Sequence, residues 1–297
     1  MAGSRNNSSS DEENVVLIVG SLGLDRLLTV PRYPAADSKV RTTSYYEEGG
    51  GNAGNTSCAM ALLRDAKLFS DKNIQIKLLT KVGDDLVGQQ LKQELESFHV
   101  NTSSPLFLKG PPGSTTSFTT IIVSSNIHEE EQPTRTCLHT PGTCGNLTID
   151  DALSVDLDEV FHKVVHLHSD SRHAECSLFL AKEAKKRGIS ISCDVEKDRS
   201  SKALDELIGI SDMLFTNSSC LIPYLERLDS ELETERNREP LPKPTVKING
   251  SMESPDASTL DVYARSFTPS AFFSRWYLEP KKQVVVTQYV LYATPGG

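Results

Sequence analysis

The sequence predicts an α/β fold: a mostly parallel sheet with helices on both faces, plus a small β flap. Three observations predict it. Short β-branched runs recur along the chain, amphipathic stretches fall between them, and two segments break that alternation.

The expected strands are Val15–Val19, Ile76–Thr80, Phe118–Val123, Thr136–His139, Val164–Leu167, Ile189–Cys193, Met213–Thr216 and Val284–Thr287. They are short and rich in Val and Ile, as strands buried on both faces should be. Helices are expected between them. Asn55–Leu63 is small and apolar, suited to close packing on a sheet. Leu86–Phe98 places Leu91, Leu95 and Phe98 on one face, and Cys176–Lys186 does the same with Leu180, Ala181 and Ala184, with Gly188 as its cap. The segments that break the pattern, about 28–46 and 114–125, read as lid strands of a small flap. Residues 1–14 read as a disordered polar tail, 15–297 as one domain, and 229–262 as a flexible insertion rich in Glu, Pro, Ser and Asn.

Composition excludes several classes. The 297 residues are 37% hydrophobic and 24% charged, with 31 Lys+Arg against 40 Asp+Glu and a net charge of −9. That balance works against a nucleic-acid partner. The apolar runs are too short to cross a bilayer, and the first fourteen residues contain no apolar core of a signal peptide, so no membrane partner and a cytoplasmic location are expected. None of the six cysteines forms C-x-x-C, which argues against zinc fingers and redox dithiols and for reduced thiols. No metal site is expected: His166 and His168 share one strand face without a third ligand nearby, and Asp84–Asp85 reads as a turn followed by a helix start. His99 and His139 look unexceptional.

The most informative segment is Glu48-Gly49-Gly50-Gly51-Asn52-Ala53-Gly54-Asn55-Thr56-Ser57. Gly49, Gly51 and Gly54 satisfy G-x-G-x-x-G, but the dinucleotide fingerprint needs a hydrophobic strand before it, and Thr42–Glu48 is polar. A second reading suits the residues better. Glycines admit a ligand close to backbone, a helix start offers N–H groups, and Asn52 and Asn55 add both donors and acceptors, a set matched to a polyhydroxylated ligand. A plain helix-capping turn is the competing explanation.

This segment resembles the first signature of the PfkB (ribokinase-like) carbohydrate kinases. Val19-Gly20-Ser21-Leu22-Gly23-Leu24-Asp25 resembles that family's first strand, ending at a sugar-binding aspartate. Val82-Gly83-Asp84-Asp85-Leu86-Val87-Gly88 resembles its V-G-x-D-x-x-G turn. Val30–Arg41 and Cys193–Arg199 are similar to its ketohexokinase-like branch. The resemblance implies a ribokinase-like fold and ATP-dependent phosphorylation of a sugar hydroxyl, with Mg²⁺ on the phosphates. It implies that Asp25 and Asp37 hold sugar hydroxyls, that Gly50 and Gly51 bring backbone close, and that Asn52 and Asn55 bond the remaining hydroxyls. It places Arg135 near the transferred phosphate. It also implies a homodimer joined through the lid. Taken by themselves, Asp25 reads equally as a strand-end acid or a helix cap, and Asp37 as a turn residue.

The sequence also departs from that family. Its Gly-Ala-Gly-Asp turn, which supplies the anion hole and the general-base aspartate, occurs nowhere here; Val284–Thr287 is followed by Gln288–Gly297, and the N-x-x-E element reads Asn217-Ser218-Ser219-Cys220. Loss of a general base costs on the order of 10²–10⁴ in rate, and loss of preorganised anion donors roughly 10²–10³ more. The expectation is therefore an incomplete C-terminal part, no assignable catalytic base and little or no transfer. The alternatives are a non-catalytic sugar-binding or dimerising protein and, below it, an NAD-dependent oxidoreductase.

Overall fold

A computed structural model describes residues 13–68, 74–103, 106–124, 134–217 and 283–287, with parts of 220–230. The expected tail and insertion lie outside the described residues except for Glu13, Asn14 and Ser230; Asn14 already belongs to a strand and Ser230 is helical. The chain divides into two compact units between Ser192 and Cys193.

The first unit contains β1 (Asn14–Val19), β2 (Gly23–Val30), β3 (Ser44–Gly50), α1 (Asn52–Asp65), β4 (Ile74–Val82), α2 (Leu86–Ser97), β5 (Phe107–Lys109), β6 (Phe118–Ser124) and β7 (Thr134–Thr140). It continues with α3 (Ile149–Leu153), α4 (Leu157–Val160), β8 (Val164–Ser169), α5 (Ala174–Lys186) and the start of β9 (Ser190–Val195). Its main sheet has the order β9-β8-β1-β4-β5, with β1 parallel to both β4 and β8. Both faces of β1 are covered. Val16 and Ile18 join a cluster with Leu22, Leu24, Leu91 and Leu95, while Leu17 and Val19 on the opposite face are also fully buried. That double burial explains why β1 reads as a continuous apolar run.

Strand order reverses at β1, because β4 lies on one side of it and β8 on the other. The carboxyl ends of strands at such a switch point form the natural crevice of an open α/β sheet. There the chain leaves β1 and builds a second sheet of order β3-β2-β6-β7, with β2 antiparallel to β3, parallel to β6, and β6 antiparallel to β7.

Three details differ from expectation. The flap strands do not fill 28–46: β2 begins at Gly23, β3 at Ser44, and 31–43 between them is irregular. Asp25 therefore does not end the first strand. β1 stops at Val19, Gly20 turns the chain at φ +155°, and Asp25 sits on β2. Finally, α1 starts three residues earlier than expected, so Asn52 and Asn55 are both helical.

Asp85 behaves as a helix start should. Its Oδ1 accepts Gly88 N–H at 2.8 Å, and its carboxylate also takes Thr116 N–H at 2.8 Å and the Thr116 hydroxyl at 2.7 Å. Burial opposes ionisation, but these bonds prevail and hold the Asp85 carboxyl below its usual range. The residue thus caps α2 and pins the segment leading into β6. None of the six cysteines is disulfide-bonded; four are buried and Cys137 is exposed.

The second unit, from Cys193, holds the end of β9, α6 (Lys202–Ile210), β10 (Met213–Asn217) and β11 (Gln283–Thr287), the last two parallel. Arg227 joins Asp198 and Asp205 there at 2.8 and 2.7 Å.

His166 and His168 do face one way, and hydroxyls occupy them. His166 meets Ser190 Oγ and Ser192 Oγ, both at 2.7 Å, and His168 Nδ1 meets Ser192 Oγ at 2.8 Å. Burial pushes His168 down from 6.5 to about 4 against the opposing pull of Asp170. The folded chain thus resists a proton that the unfolded chain accepts, so stability is lost as pH falls from 6.5 toward 4. The full shift corresponds to on the order of 3 kcal/mol. Thermal melts of His168→Gln should show a flatter pH dependence across that window; an unchanged slope would refute the assignment.

Candidate functional site

The glycine run closes β3 onto α1. Gly51 caps the helix at φ +86°, ψ 141°, a region that other residues rarely adopt, and a Cβ there would sit 2.6 Å from the Ser21 carbonyl oxygen. Gly54 N–H donates to that carbonyl at 3.2 Å. On α2, Glu94 receives Gly49 N–H with both carboxylate oxygens at 3.0 Å. The run is held from two sides.

Gly50 fixes the position of Asp25. A Cβ on Gly50 would overlap Asp25 Cγ, so the carboxylate occupies the space that any other residue would fill. Asp25 lies opposite Glu48 on β3 and Thr119 on β6, and Thr119 lies opposite His139 on β7. Residues in register share a face, so Glu48, Asp25, Thr119 and His139 form one row across four strands.

The electrostatics of this row are mixed. Burial raises Asp25, while a Thr119 hydrogen bond and the charges of His139 and Arg135 partly offset it. Glu48 is raised by burial, then by Asp25 and Glu94. Two acceptor carboxylates thus share an accessible sheet face with His139 in their own row and Arg135 four residues further along β7. This arrangement can bind vicinal hydroxyls, which need both acceptors and donors.

The expected residues divide accordingly. Asp25 and Gly50 come together, and Gly51 and Asn52 lie at the adjoining helix start, whereas Arg135 lies four residues before His139 on β7 and acts on Asp25 by charge alone. Asn55 lines a narrow crevice with Leu22, Gly49, Cys58, Leu91, Glu94 and Leu95, in which Asp25 takes no part. Asp37 is exposed in the 31–43 loop, at φ +59° inside the turn that Ser38 N–H closes onto the Ala35 carbonyl, and makes none of the site's hydrogen bonds.

Sequence reasoning missed Thr119, His139 and Asp170. Asp170, fully buried after β8, accepts Ser21 N–H at 2.7 Å, the Ser21 hydroxyl at 2.5 Å and Arg172 N–H at 3.0 Å. It fills the space beside Gly20 and so anchors the turn that leads to Asp25. The only hint in sequence was an acid directly after a strand.

In the second unit, Asn217 Oδ1 accepts Cys220 N–H at 2.7 Å and its amide donates to Glu196 O at 3.1 Å, while burial raises the Cys220 thiol. Mg²⁺ takes hard oxygen ligands. A neutral thiol where a carboxylate would be needed does not fit a Mg²⁺–phosphate contact at this place. Among the described residues no group of three or more His, Cys, Asp or Glu is arranged to hold a metal ion, and no helix is long and apolar enough to cross a membrane.

The family profile described as pfkB family carbohydrate kinase matches residues 14–220. The chain belongs to that family. This pfkB member is similar to an ATP-dependent ribose-1-phosphate kinase of Halopiger xanaduensis, 24% identical over 213 residues, covering 71% of this chain and 64% of that protein. The matched region thus spans just under two thirds of that relative's length. Its fold is similar to the structure of ribokinase from Giardia lamblia, with a TM-score of 0.59 and 16% identity, covering 93% of this chain and 70% of that one. It is also similar to Arabidopsis thaliana ribokinase complexed with ribose and ATP, at TM-score 0.54 and 17% identity, covering 70% and 61%.

The Gly50–Asp25 approach has a measurable cost. Gly50→Ala should destabilise the chain by about 1–3 kcal/mol in urea unfolding, because either the strand or the carboxylate must move. Gly209→Ala, where a Cβ meets nothing within 4 Å, should be neutral or stabilising. Equal effects at the two positions would contradict the packing described.

Proposed function

We propose that this pfkB-family chain binds a small sugar over Gly50, with Asp25 accepting its hydroxyls, Gly51 and Asn52 presenting backbone and amide groups, and Arg135 on the side of the transferred phosphate. Asn55 and Asp37 enter the reading only if the sugar extends toward their parts of the chain. The observation that carries it is the carboxylate of Asp25 seated against Gly50. Ribose and fructose are the first ligands to test: ribose from the names of the relatives, fructose from the ketohexokinase-like segments Val30–Arg41 and Cys193–Arg199.

The family's reaction draws a phosphoryl group from ATP with Mg²⁺. These 297 residues lack Gly-Ala-Gly-Asp, and the Asn217–Cys220 geometry does not suit the metal. A sugar-binding member without transfer is therefore the second reading. Incubation with ATP, Mg²⁺ and ribose or fructose separates the two: sugar phosphate at rates typical of kinases supports the first, binding without product the second. An NAD-dependent oxidoreductase draws no support from the geometry. The strand before the glycine run is antiparallel to β2 in the small sheet, whereas a dinucleotide fold needs a parallel strand there.

A homodimer through the small sheet is part of the proposal. Tyr45, Leu28 and Ile122 lie in register on the face away from Asp25, with Tyr45 exposed and the other two half-buried, an apolar row suited to cover by a second copy.

Asp25→Asn tests the sugar reading. Calorimetry should show at least a tenfold loss of ribose or fructose affinity. The same variant should melt no lower at neutral pH. Burial raises Asp25 above 3.8, so in the native chain stability falls as pH rises through that raised value, and asparagine removes the penalty. Undiminished sugar binding would sink the role of Asp25.

A further inference from the structure

The two consecutive glutamates of β3 face opposite ways and keep different company. Glu47 lies in register with Arg26, which donates to its Oε1 at 2.9 Å, and the Tyr45 hydroxyl donates to the same oxygen at 2.6 Å. Glu48 lies in register with Asp25 on the other face. It is half-buried, and among the described residues no hydrogen bond or ion pair engages its carboxylate. Gly50 identifies that face. Residues two apart on a strand point the same way, and a Cβ on Gly50 would lie 2.4 Å from Asp25 Cγ. Glu48, Gly50 and the Asp25 carboxylate therefore share one patch of the small sheet.

We propose that Glu48 is a second sugar-binding carboxylate, which with Asp25 accepts from two adjacent hydroxyls of a sugar. This rests on the reading of Asp25 as the sugar acceptor. Like charges directly opposite on neighbouring strands are destabilising, and a half-buried carboxylate without a donor is costly in its own right. The sheet shows how such a cost is relieved, because Arg26 stands opposite Glu47. Opposite Glu48 it holds a second acid instead. Carboxylates accept and cannot donate, so this pair is satisfied only by a partner that brings hydrogens to both. Two hydroxyls on neighbouring carbons do so. A phosphate or carboxylate end of a ligand would bring none and would add a third negative charge, so the pair selects the neutral, hydroxyl-bearing end of the sugar.

The charges around Glu48 agree with a site built for a ligand at the expense of stability. Asp25 on β2 and Glu94 on α2 add like charge to it, whereas His139 stands two strands beyond Asp25 in the row and Arg135 further along β7. Burial first, then Asp25 and Glu94, push the Glu48 carboxyl above its ordinary 4.5. The penalty falls on the ionised form, so stability is lost as pH rises through that raised value. A glutamine of the same shape escapes the penalty but loses the charge that holds a hydroxyl.

The test compares the native full chain with Glu48→Gln, Glu47→Gln and Asp25→Asn, by calorimetry with ribose and fructose at pH 7 and by thermal melts without sugar between pH 7 and pH 4. Glu48→Gln should weaken sugar binding about tenfold. The same variant should melt about 1–3 °C higher at pH 7, with the gain shrinking toward pH 4. Glu47→Gln, on the far face, should bind sugar as the native chain does and gain nothing in melting. A residue needed only for folding would show the reverse at position 48, so a Glu48→Gln variant that melts lower or fails to fold would overturn the proposal. Unchanged affinity in Glu48→Gln, with affinity lost in Asp25→Asn, would overturn the role of Glu48 and leave the sugar reading standing. A native chain that binds neither sugar would remove that reading and the role of Glu48 with it.

Discussion

The site depends on a missing atom. Gly50 has no Cβ, and the carboxylate of Asp25 occupies the vacated volume. Everything nearby serves that close approach. Glu94 fixes the amide of Gly49, Gly51 takes a backbone conformation closed to most residues, and α1 begins one residue later. On the other side, Asp170 holds the amide and hydroxyl of Ser21, which sets where β2 departs from β1. Two carboxylates engaged by the backbone thus position a third that faces the open side of the small sheet.

A half-buried carboxylate beside a second one is electrostatically awkward. Burial and like charge both favour the neutral acid. Here burial raises Asp25, and Thr119 on one further strand with the charges of His139 and Arg135 on another pull the other way. The arrangement is one reason for a four-stranded second sheet. Two strands could carry Asp25 and Glu48, but β6 and β7 bring Thr119, His139 and Arg135. Asp85 contributes at a distance, because its bonds to Thr116 fix the segment two residues before β6.

Much of the fold was legible for a simple reason. Strands buried on both faces must be apolar throughout, and β1 is so after Asn14; β4, β8, β9 and β10 keep buried apolar residues among polar ones, and α2 and α5 show one-sided burial. The small sheet was harder to read. Ser44–Gly50 is mostly exposed on both sides, so it carries Tyr, Glu and Gly and looks like a polar lead-in. In the site, Gly50, Gly51 and Asn52 form one contiguous run that could be read as a motif, and Asp25 was readable only through the resemblance of Val19–Asp25. Thr119, His139 and Asp170 could not be read either way, because crossovers and register bring them in; Ser21 and Asp170 are 149 residues apart. Asp37 shows the opposite case: local turn chemistry accounts for its place, and none of the site's hydrogen bonds reaches it.

The two units contribute differently to what this chain can do. Gly50, Asp25, Asp170 and the row across the small sheet all lie before Ser192, so the proposed sugar-facing part is built within one unit. The segment that stands in place of the family's N-x-x-E element falls in the other, and there Asn217 serves as a local cap on Cys220 and Glu196. With cysteine at its fourth position, the element offers a cation one amide oxygen and no carboxylate. The residues proposed to face the sugar and the segment in place of the N-x-x-E element therefore belong to different units, and the first set has Glu94 and Asp170 as its supports.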